Sequence, residues 1–365
     1  MKRLTATGVT ALVSAMLTLS TAAPATAAPD EPETGDVQQV MEELASNPGV
    51  VGVIAEAYYD GKRIDRGTAG SQLIDGQGGT IPTESSYRAW SQTKFMTATV
   101  LLQLVDEGKL GLDDKLSDVL PGVAEQNLVE RADEITVRQL IKHTSGIPDF
   151  AGDVDQFDTS DISPVDLLEI SRSKPREFAP GEKNQYSNIN YVLLGMIIEN
   201  VTGDRFADVL DQRLFQPLHM DRTYVPTSPT ERIKGPHGHG YYPDAQGHLR
   251  DTDQLNATFT WAAGAVISNT EDLTTFFRAF NQGKLLPPDL QEVITTPPET
   301  TSDQPATCPV TKAAGAGPGS TSMTSTSADG RRQLAISVTI AVPPDHIGSI
   351  VSEASDDVLC PGEST

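Results

Sequence analysis

Apolar residues recur at helical spacing through Phe95, Val100, Leu101, Leu104 and Val105, in a run from 91 to 107 that contains neither Pro nor Gly. Gly108 stands just past it, so the pattern predicts one helix with Ser91 in its first turn and a stop at the glycine. Upstream, Val40, Met41 and Leu44 share a face behind Asp36 as cap, predicting a short helix over 37–45. Residues 49–59 (GVVGVIAEAYY) read as a strand, Asp60-Gly61 as a tight hairpin turn and 62–69 as the return strand. A second hairpin is expected near the far end, with strands over 320–327 and 333–342 around Asp329-Gly330, then a last helix over 349–358.

The middle is helical. Short helices are expected over 113–120, stopped by Pro121-Gly122, over 136–143 with Thr136 as cap, and from Pro164 behind Ser163. Longer ones follow over 187–201, 204–214 and 271–281. The simplest assembly is α+β: both hairpins in one antiparallel sheet, flanked by the terminal helices, with a mostly helical lobe inserted. Residues 37–75 with 258–365 would form the sheet lobe and 76–257 the helical lobe, together one domain without internal repeats.

Composition adds an address. Lys2 and Arg3, an apolar stretch over 9–19 and Ala25-Thr26-Ala27 have the order of a secretory signal peptide, so 1–27 is expected to be cleaved after Ala27. Residues 28–36 form an acidic, Pro-rich linker. The apolar stretch is short for a membrane span, and no cysteine stands nearby to carry a lipid, so no stable membrane anchor is expected. Cys308 and Cys360 are the only cysteines, and in an exported chain such a pair forms one disulfide; a metal pair or a catalytic thiol has less support. A net charge of −23 argues against a nucleic-acid partner and is read as a solvated acidic surface.

Candidate chemistry centres on the predicted helix. Lys94 lies one turn after Ser91, on the same face, so an amine stands ready to take the hydroxyl proton beside the free N–H groups of the first turn. Ser171-Arg172-Ser173-Lys174 repeats the spacing but is stopped by Pro175, and is read as a surface helix end. Tyr186-Ser187-Asn188 heads the 187–201 helix. A lysine ammonium would ease proton loss from Tyr186, and Asn188 offers a donor and an acceptor to a substrate amide. Helix capping by Asn184, Ser187 or Asn188, with Tyr186 on the core, is the competing reading. The run 312–319 (KAAGAGPG) would let a ligand approach its backbone closely, or is a flexible connection. His143-Thr144-Ser145-Gly146 is read as a helix stop, and His237-Gly238-His239 as a loop rather than a metal site. No cofactor or metal is expected. The chain has no H-E-x-x-H, G-x-S-x-G or G-x-x-x-x-G-K-[ST] motif, so zincin, α/β-hydrolase and P-loop readings have no anchor.

Four blocks carry a family resemblance. Residues 87–122, 135–150 (ITVRQLIKHTSGIPDF), 178–203 (FAPGEKNQYSNINYVLLGMIIENVTG) and 261–280 resemble, in this order, the serine β-lactamase-related family of class C β-lactamases, D-alanyl-D-alanine carboxypeptidases and related esterases and aminopeptidases. The resemblance implies the β-lactamase/transpeptidase-like fold and a Ser91 acyl-enzyme, with Lys94 and Tyr186 moving protons and Asn188 holding the substrate amide. The N–H groups of Ser91 and Ala316 would hold the oxyanion. It implies D-Ala-D-Ala carboxypeptidase-like activity on a small peptide, with β-lactam or ester substrates and peptidoglycan as alternatives. Two departures stand out. Gly315 takes the glycine position of the family's third motif, which puts Ala313 where a basic residue belongs. Lys312, next door, should point to the other face. Trp90 replaces the usual small residue before the nucleophile and would narrow or reshape the cleft. Loss of the basic group raises the further possibility of a catalytically weak penicillin- or peptidoglycan-binding module.

Overall fold

A computed structural model describes residues 34–296, 308–342 and 346–362. The signal peptide expected at 1–27 and most of the linker at 28–36 lie outside the described residues. Helix α1 (Val37–Ala45) is followed by β1 (Val50–Tyr59) and β2 (Lys62–Gly70). Asp60 and Gly61 both adopt positive φ (49° and 78°), the geometry that matches strand twist in a two-residue hairpin. Strands β3 (Val310–Gly317), β4 (Ser320–Ser327) and β5 (Arg332–Ile340) complete a five-stranded sheet of order β2-β1-β5-β4-β3, antiparallel throughout.

Strand β1 is almost wholly buried because both of its faces are covered. Val53, Ala55 and Ala57 pack with Val37, Met41 and Leu44 of α1 and with the C-terminal helix, whereas Ile54 faces the core of the helical lobe. That C-terminal helix, α5, spans Ile347–Leu359. A Cys308–Cys360 disulfide with a Cα–Cα distance of 5.8 Å joins the approach to β3 to the end of this helix.

The other helices that matter to the site are α2 (Thr93–Asp106), α3 (Pro164–Arg172) and α4 (Ile189–Thr202). Ser163 forms a capping box with Asp166 ahead of α3, and Thr136 forms one with Gln139 at the 137–141 helix, both at the expected caps.

Several expectations are corrected. The helix expected over 113–120 is one turn, Leu116–Val119, and Pro121 opens the next helix, Pro121–Glu125, instead of ending one. Proline's fixed φ and missing N–H suit the first helical position. The 204–214 helix becomes Phe206–Leu210 followed by a π-helical Asp211–Phe215. The run 312–319 is no flexible connection: most of it is the edge strand β3, in register with β4 through Gly315↔Ser322 and Ala316↔Thr321. Ser171 is buried within α3, not exposed at a surface helix end.

Candidate active site

Trp90, Ser91 and Gln92 form a 3-10 turn that runs directly into α2, so Ser91 stands just ahead of the α-helix rather than inside its first turn. Two sets of bonds fix the turn. The Gln92 amide donates to Ser322 Oγ (2.9 Å) and accepts from Thr324 Oγ1 (2.8 Å), tying it to β4. Ala89 N–H donates to the Val266 carbonyl (2.9 Å), tying it to the lobe. Trp90 takes φ of 50° and is buried, its indole N–H donating to Ser320 Oγ (2.9 Å).

Strand β3 passes close above this turn. A Cβ at residue 315 would stand 2.1 Å from the Ala89 carbonyl oxygen and 3.0 Å from the Ser91 nitrogen, so only glycine fits there. A Cβ at 317 would meet the Trp90 indole at 2.6 Å. The two glycines and the tryptophan therefore fit as a set. Trp90 is a buried wall beneath the strand and one side of the cleft above Ser91.

The side chains expected to act together do meet. Ser91 Oγ lies 2.6 Å from Tyr186 Oη and 3.1 Å from Lys94 Nζ. Lys94, 5 % exposed, also donates to Asn188 Oδ1 (2.8 Å) and to the Ala263 carbonyl (2.7 Å). Burial lowers its pKa to about 7, opposed in part by the carboxylate of Asp149. The site thus favours the unprotonated amine far more than water does, and the amine lies within reach of the serine proton.

Tyr186 behaves differently from the expectation that a neighbouring cation acidifies it. Although the side chain is half-exposed, packing around its hydroxyl desolvates it and pushes it up to about 12, offset only in part by the Ser91 hydrogen bond. Lys94 Nζ sits over the tyrosine ring, 4.8 Å from its centroid, rather than bonding to the oxygen, so desolvation wins. Tyr186 is a protonated hydroxyl that can pass a proton on, while Lys94 is the better base. Asn188 does not cap α4 with its side chain, and Asn184 bonds to the Lys142 carbonyl; the capping alternatives fall away for both.

Two neighbours carry no chemical role in the sequence reading. His143, read as a helix stop, stacks on Tyr186 with centroids 4.6 Å apart, and its Nδ1 accepts from Ser187 N–H (3.2 Å). Burial and nearby Lys94 lower its pKa to about 4, so the ring is neutral. Asp149 accepts from the Asn188 backbone N–H (3.1 Å) and side-chain Nδ2 (2.9 Å). Both lie in the 135–150 block whose order matched the family; nothing in their local pattern distinguishes them from loop residues.

Above Ser91 lies an open cleft with a cavity volume of about 150 Å³. Trp90, Phe259, Thr260, Gln156, Ala316 and Gly317 contribute to its lining. Among the described residues lining it, none bears a charged side chain. Ala313 is buried and belongs to the lobe's core, outside the lining. Lys312 points to the opposite face, where it bonds to Ser352 Oγ (2.7 Å) and pairs with Asp356 (2.6 Å). The Arg88 guanidinium, over the Trp90 ring at 5.9 Å, is buried and also outside the lining. His237 and His239 stack on each other far along the chain from these groups and face Asp253 (3.6 Å) and Asp251 (2.7 Å) respectively.

Known proteins share this architecture. A D-stereospecific amidohydrolase from Streptomyces sp. superposes with a TM-score of 0.74 at 31 % identity, over 89 % of this chain and 98 % of that one. A D-amino acid amidase from Ochrobactrum anthropi SV3, solved with L-phenylalanine amide, has a TM-score of 0.73 at 23 % identity over 87 % of this chain and 96 % of that one, a likeness of fold. Among curated sequences, penicillin-binding protein 4 of Amycolatopsis lactamdurans is 33 % identical over 54 % of this chain and 50 % of its own length. Protein flp of Staphylococcus aureus is 34 % identical over 42 % of this chain and 30 % of its own length. The chain thus spans half or less of the length of these curated relatives. The Beta-lactamase family model matches residues 37–351, and with the Ser91–Lys94–Tyr186 cluster at the junction of sheet and helical lobe, the chain belongs to that family of serine hydrolases.

Proposed function

We propose that this protein hydrolyses an amide or ester whose leaving group is uncharged, with an acyl part of D configuration, through an acyl-enzyme at Ser91. The observation that carries the substrate class is the uncharged lining of the cleft. A carboxypeptidase holds the terminal carboxylate of its substrate, and a carboxylate left without a cation or sufficient hydrogen bonds is strongly disfavoured. With Ala313 buried and Lys312 and Arg88 outside the lining, D-Ala-D-Ala carboxypeptidase activity is the less supported reading. Likeness to the D-stereospecific amidohydrolase supports the D configuration.

In this reading the Ser91 hydroxyl attacks the substrate carbonyl as its proton passes to unprotonated Lys94, directly or through Tyr186. The oxyanion is held by the N–H groups of Ser91 and Ala316, brought together because Gly315 lets β3 lie against the turn. Asn188 Nδ2 gives one hydrogen to Asp149, leaving the second for the substrate. The leaving amine or alcohol takes a proton from Tyr186 or Lys94. Water then attacks the ester, returns the serine hydroxyl and releases the acid. The connected Ser91–Lys94–Tyr186 cluster supports catalysis over a binding-only module. The leader-like residues 1–27 and the disulfide support action outside the cytoplasm.

The test is a matched series sharing one acyl group, such as N-acetyl-D-phenylalanine, joined to ammonia (amide), methanol (methyl ester) or D-alanine with a free carboxylate. The amide and the ester should each exceed the D-alanine peptide in kcat/KM by about 100-fold or more, the scale of leaving a charge without a partner. Preference for the D-alanine peptide would overturn the substrate assignment and restore the carboxypeptidase.

A further inference from the structure

The Asp149 carboxylate touches neither Ser91 nor the open cleft, yet it is the next link beyond the reacting groups. One oxygen accepts from the Asn188 backbone N–H at 3.1 Å and from Phe150 N–H at 2.8 Å; the other accepts from Asn188 Nδ2 at 2.9 Å. An amide can be turned either way by its surroundings. Here the carboxylate accepts only, so it selects the orientation with Nδ2 toward itself and Oδ1 toward Lys94, where Oδ1 receives the amine at 2.8 Å. Asp149 is itself braced. Its backbone carbonyl accepts from Lys174 Nζ (2.6 Å), and the preceding Pro148 carbonyl accepts from the buried Ser171 hydroxyl.

We propose that Asp149 is a positioning residue of this site: its carboxylate locks the Asn188 amide onto Lys94 and supplies the negative charge that the buried amine faces. The groups around Lys94 support this. From α4 and the segment before it come the rings of Tyr191 (5.5 Å) and Tyr186 (4.8 Å), from the end of the 137–141 helix comes neutral His143, and from the turn after Trp261 comes only the Ala263 carbonyl. Among these described neighbours Asp149 is the anion that opposes the desolvation of Lys94. The inference rests on reading Ser91 and Lys94 as nucleophile and base.

The sign of the effect follows. Removing the charge makes the ammonium harder to keep, so the Lys94 midpoint moves to lower pH. In Asp149→Asn, an NH₂ group replaces one acceptor, so Asn188 either loses a bond or turns its own NH₂ toward Lys94. The readout is the rate at which a fluorophosphonate labels Ser91 from pH 5 to 9, which does not depend on the natural substrate. Asp149→Asn should move the acid-limb midpoint down by about one pH unit. It should also lower the plateau by about 10- to 100-fold, through misplacement of the amide. Lys174→Met, which loosens the same loop but keeps the carboxylate, should leave the midpoint in place. An unmoved midpoint in Asp149→Asn, even with a lowered Tm, would reduce Asp149 to a structural bond and overturn the proposal. Should Asp149→Asn fail to fold, Asp149→Glu carries the test: a parent-like midpoint with a lowered plateau is expected, and a parent-like plateau would overturn the amide lock. Titrating the Lys94 ε-carbon by 13C NMR reads the same midpoint without any reaction. If the parent is not labelled at Ser91 while this titration shifts as expected, the proposed function fails and the positioning role stands.

Discussion

The chain contains the spacing Ser-x-x-Lys twice, at Ser91–Lys94 and at Ser171–Lys174, and the structure puts the two copies to opposite uses. Ser91 enters the head of α2; Ser171 lies in the last turn of α3, whose cap is Ser173. Lys94 is 5 % exposed and points at its own serine. The Lys174 side chain is 33 % exposed and turns away, to the Asp149 carbonyl and an ion pair with Asp153. The Ser91 hydroxyl meets two titratable groups, whereas the buried Ser171 hydroxyl donates to the Pro148 carbonyl. The two copies differ in what surrounds the pair: a dry pocket that favours the uncharged amine, and an open cleft above the hydroxyl. The second copy still touches the first through the loop it braces, which carries Asp149.

The comparison breaks most sharply at the first serine. Ser91→Ala should abolish covalent labelling by a fluorophosphonate, read by intact-protein mass spectrometry; label retained on another residue would remove Ser91 from the chemistry.

Next in size is Lys94→Met, expected to slow acylation by about 10²- to 10⁴-fold, the usual worth of a positioned base. The pH dependence sharpens this. The parent's labelling rate should rise with pH through a midpoint near 7 as Lys94 loses its proton, and the variant should lack that limb. Stability carries the same signature with a definite sign. The folded pKa lies below the unfolded one, so between about 7 and 10 the unfolded chain binds more protons and the folded state gains stability as pH rises. Below 7 the charged amine is buried at full cost. Denaturant melts of parent and Lys94→Met should therefore converge or cross in the parent's favour on going from pH 6 to pH 10. A difference independent of pH would mean that Lys94 is not discharged by burial.

The smallest effects belong to the second copy. Ser171→Ala leaves the Pro148 carbonyl without its buried donor and should cost about 1–3 kcal/mol of stability, measured by denaturant unfolding. Labelling of Ser91 at saturating probe should stay within a few-fold of the parent. Loss of labelling comparable to Lys94→Met would show that the two copies differ less than their surroundings indicate.

Much of this was legible without coordinates where it depended on neighbours in sequence. The Asp60-Gly61 turn, the caps at Asp36, Thr136 and Ser163, and the run of α2 all follow from local backbone preferences that the fold leaves standing. Strand β3 was harder. Its Ala- and Gly-rich sequence has weak strand propensity, and it becomes a strand because β4 pairs with it and Trp90 packs under Gly317. Pro121 follows one helical turn and opens the next at the same point of the chain, so the residue alone does not show which of the two roles it takes.

By itself the sequence determined which residue types stand at which spacing, and hence that Ser91 and Lys94 share a helix face and that Tyr186 and Asn188 precede an apolar helix. It also determined that no basic residue occupies position 313. The tertiary structure decided which serine–lysine pair is dry, that burial raises the Tyr186 pKa instead of lowering it, and that Asp149 stands behind Asn188. These are properties of burial and distance between segments far apart in the chain, and desolvation depends on everything packed around a group rather than on the residues beside it.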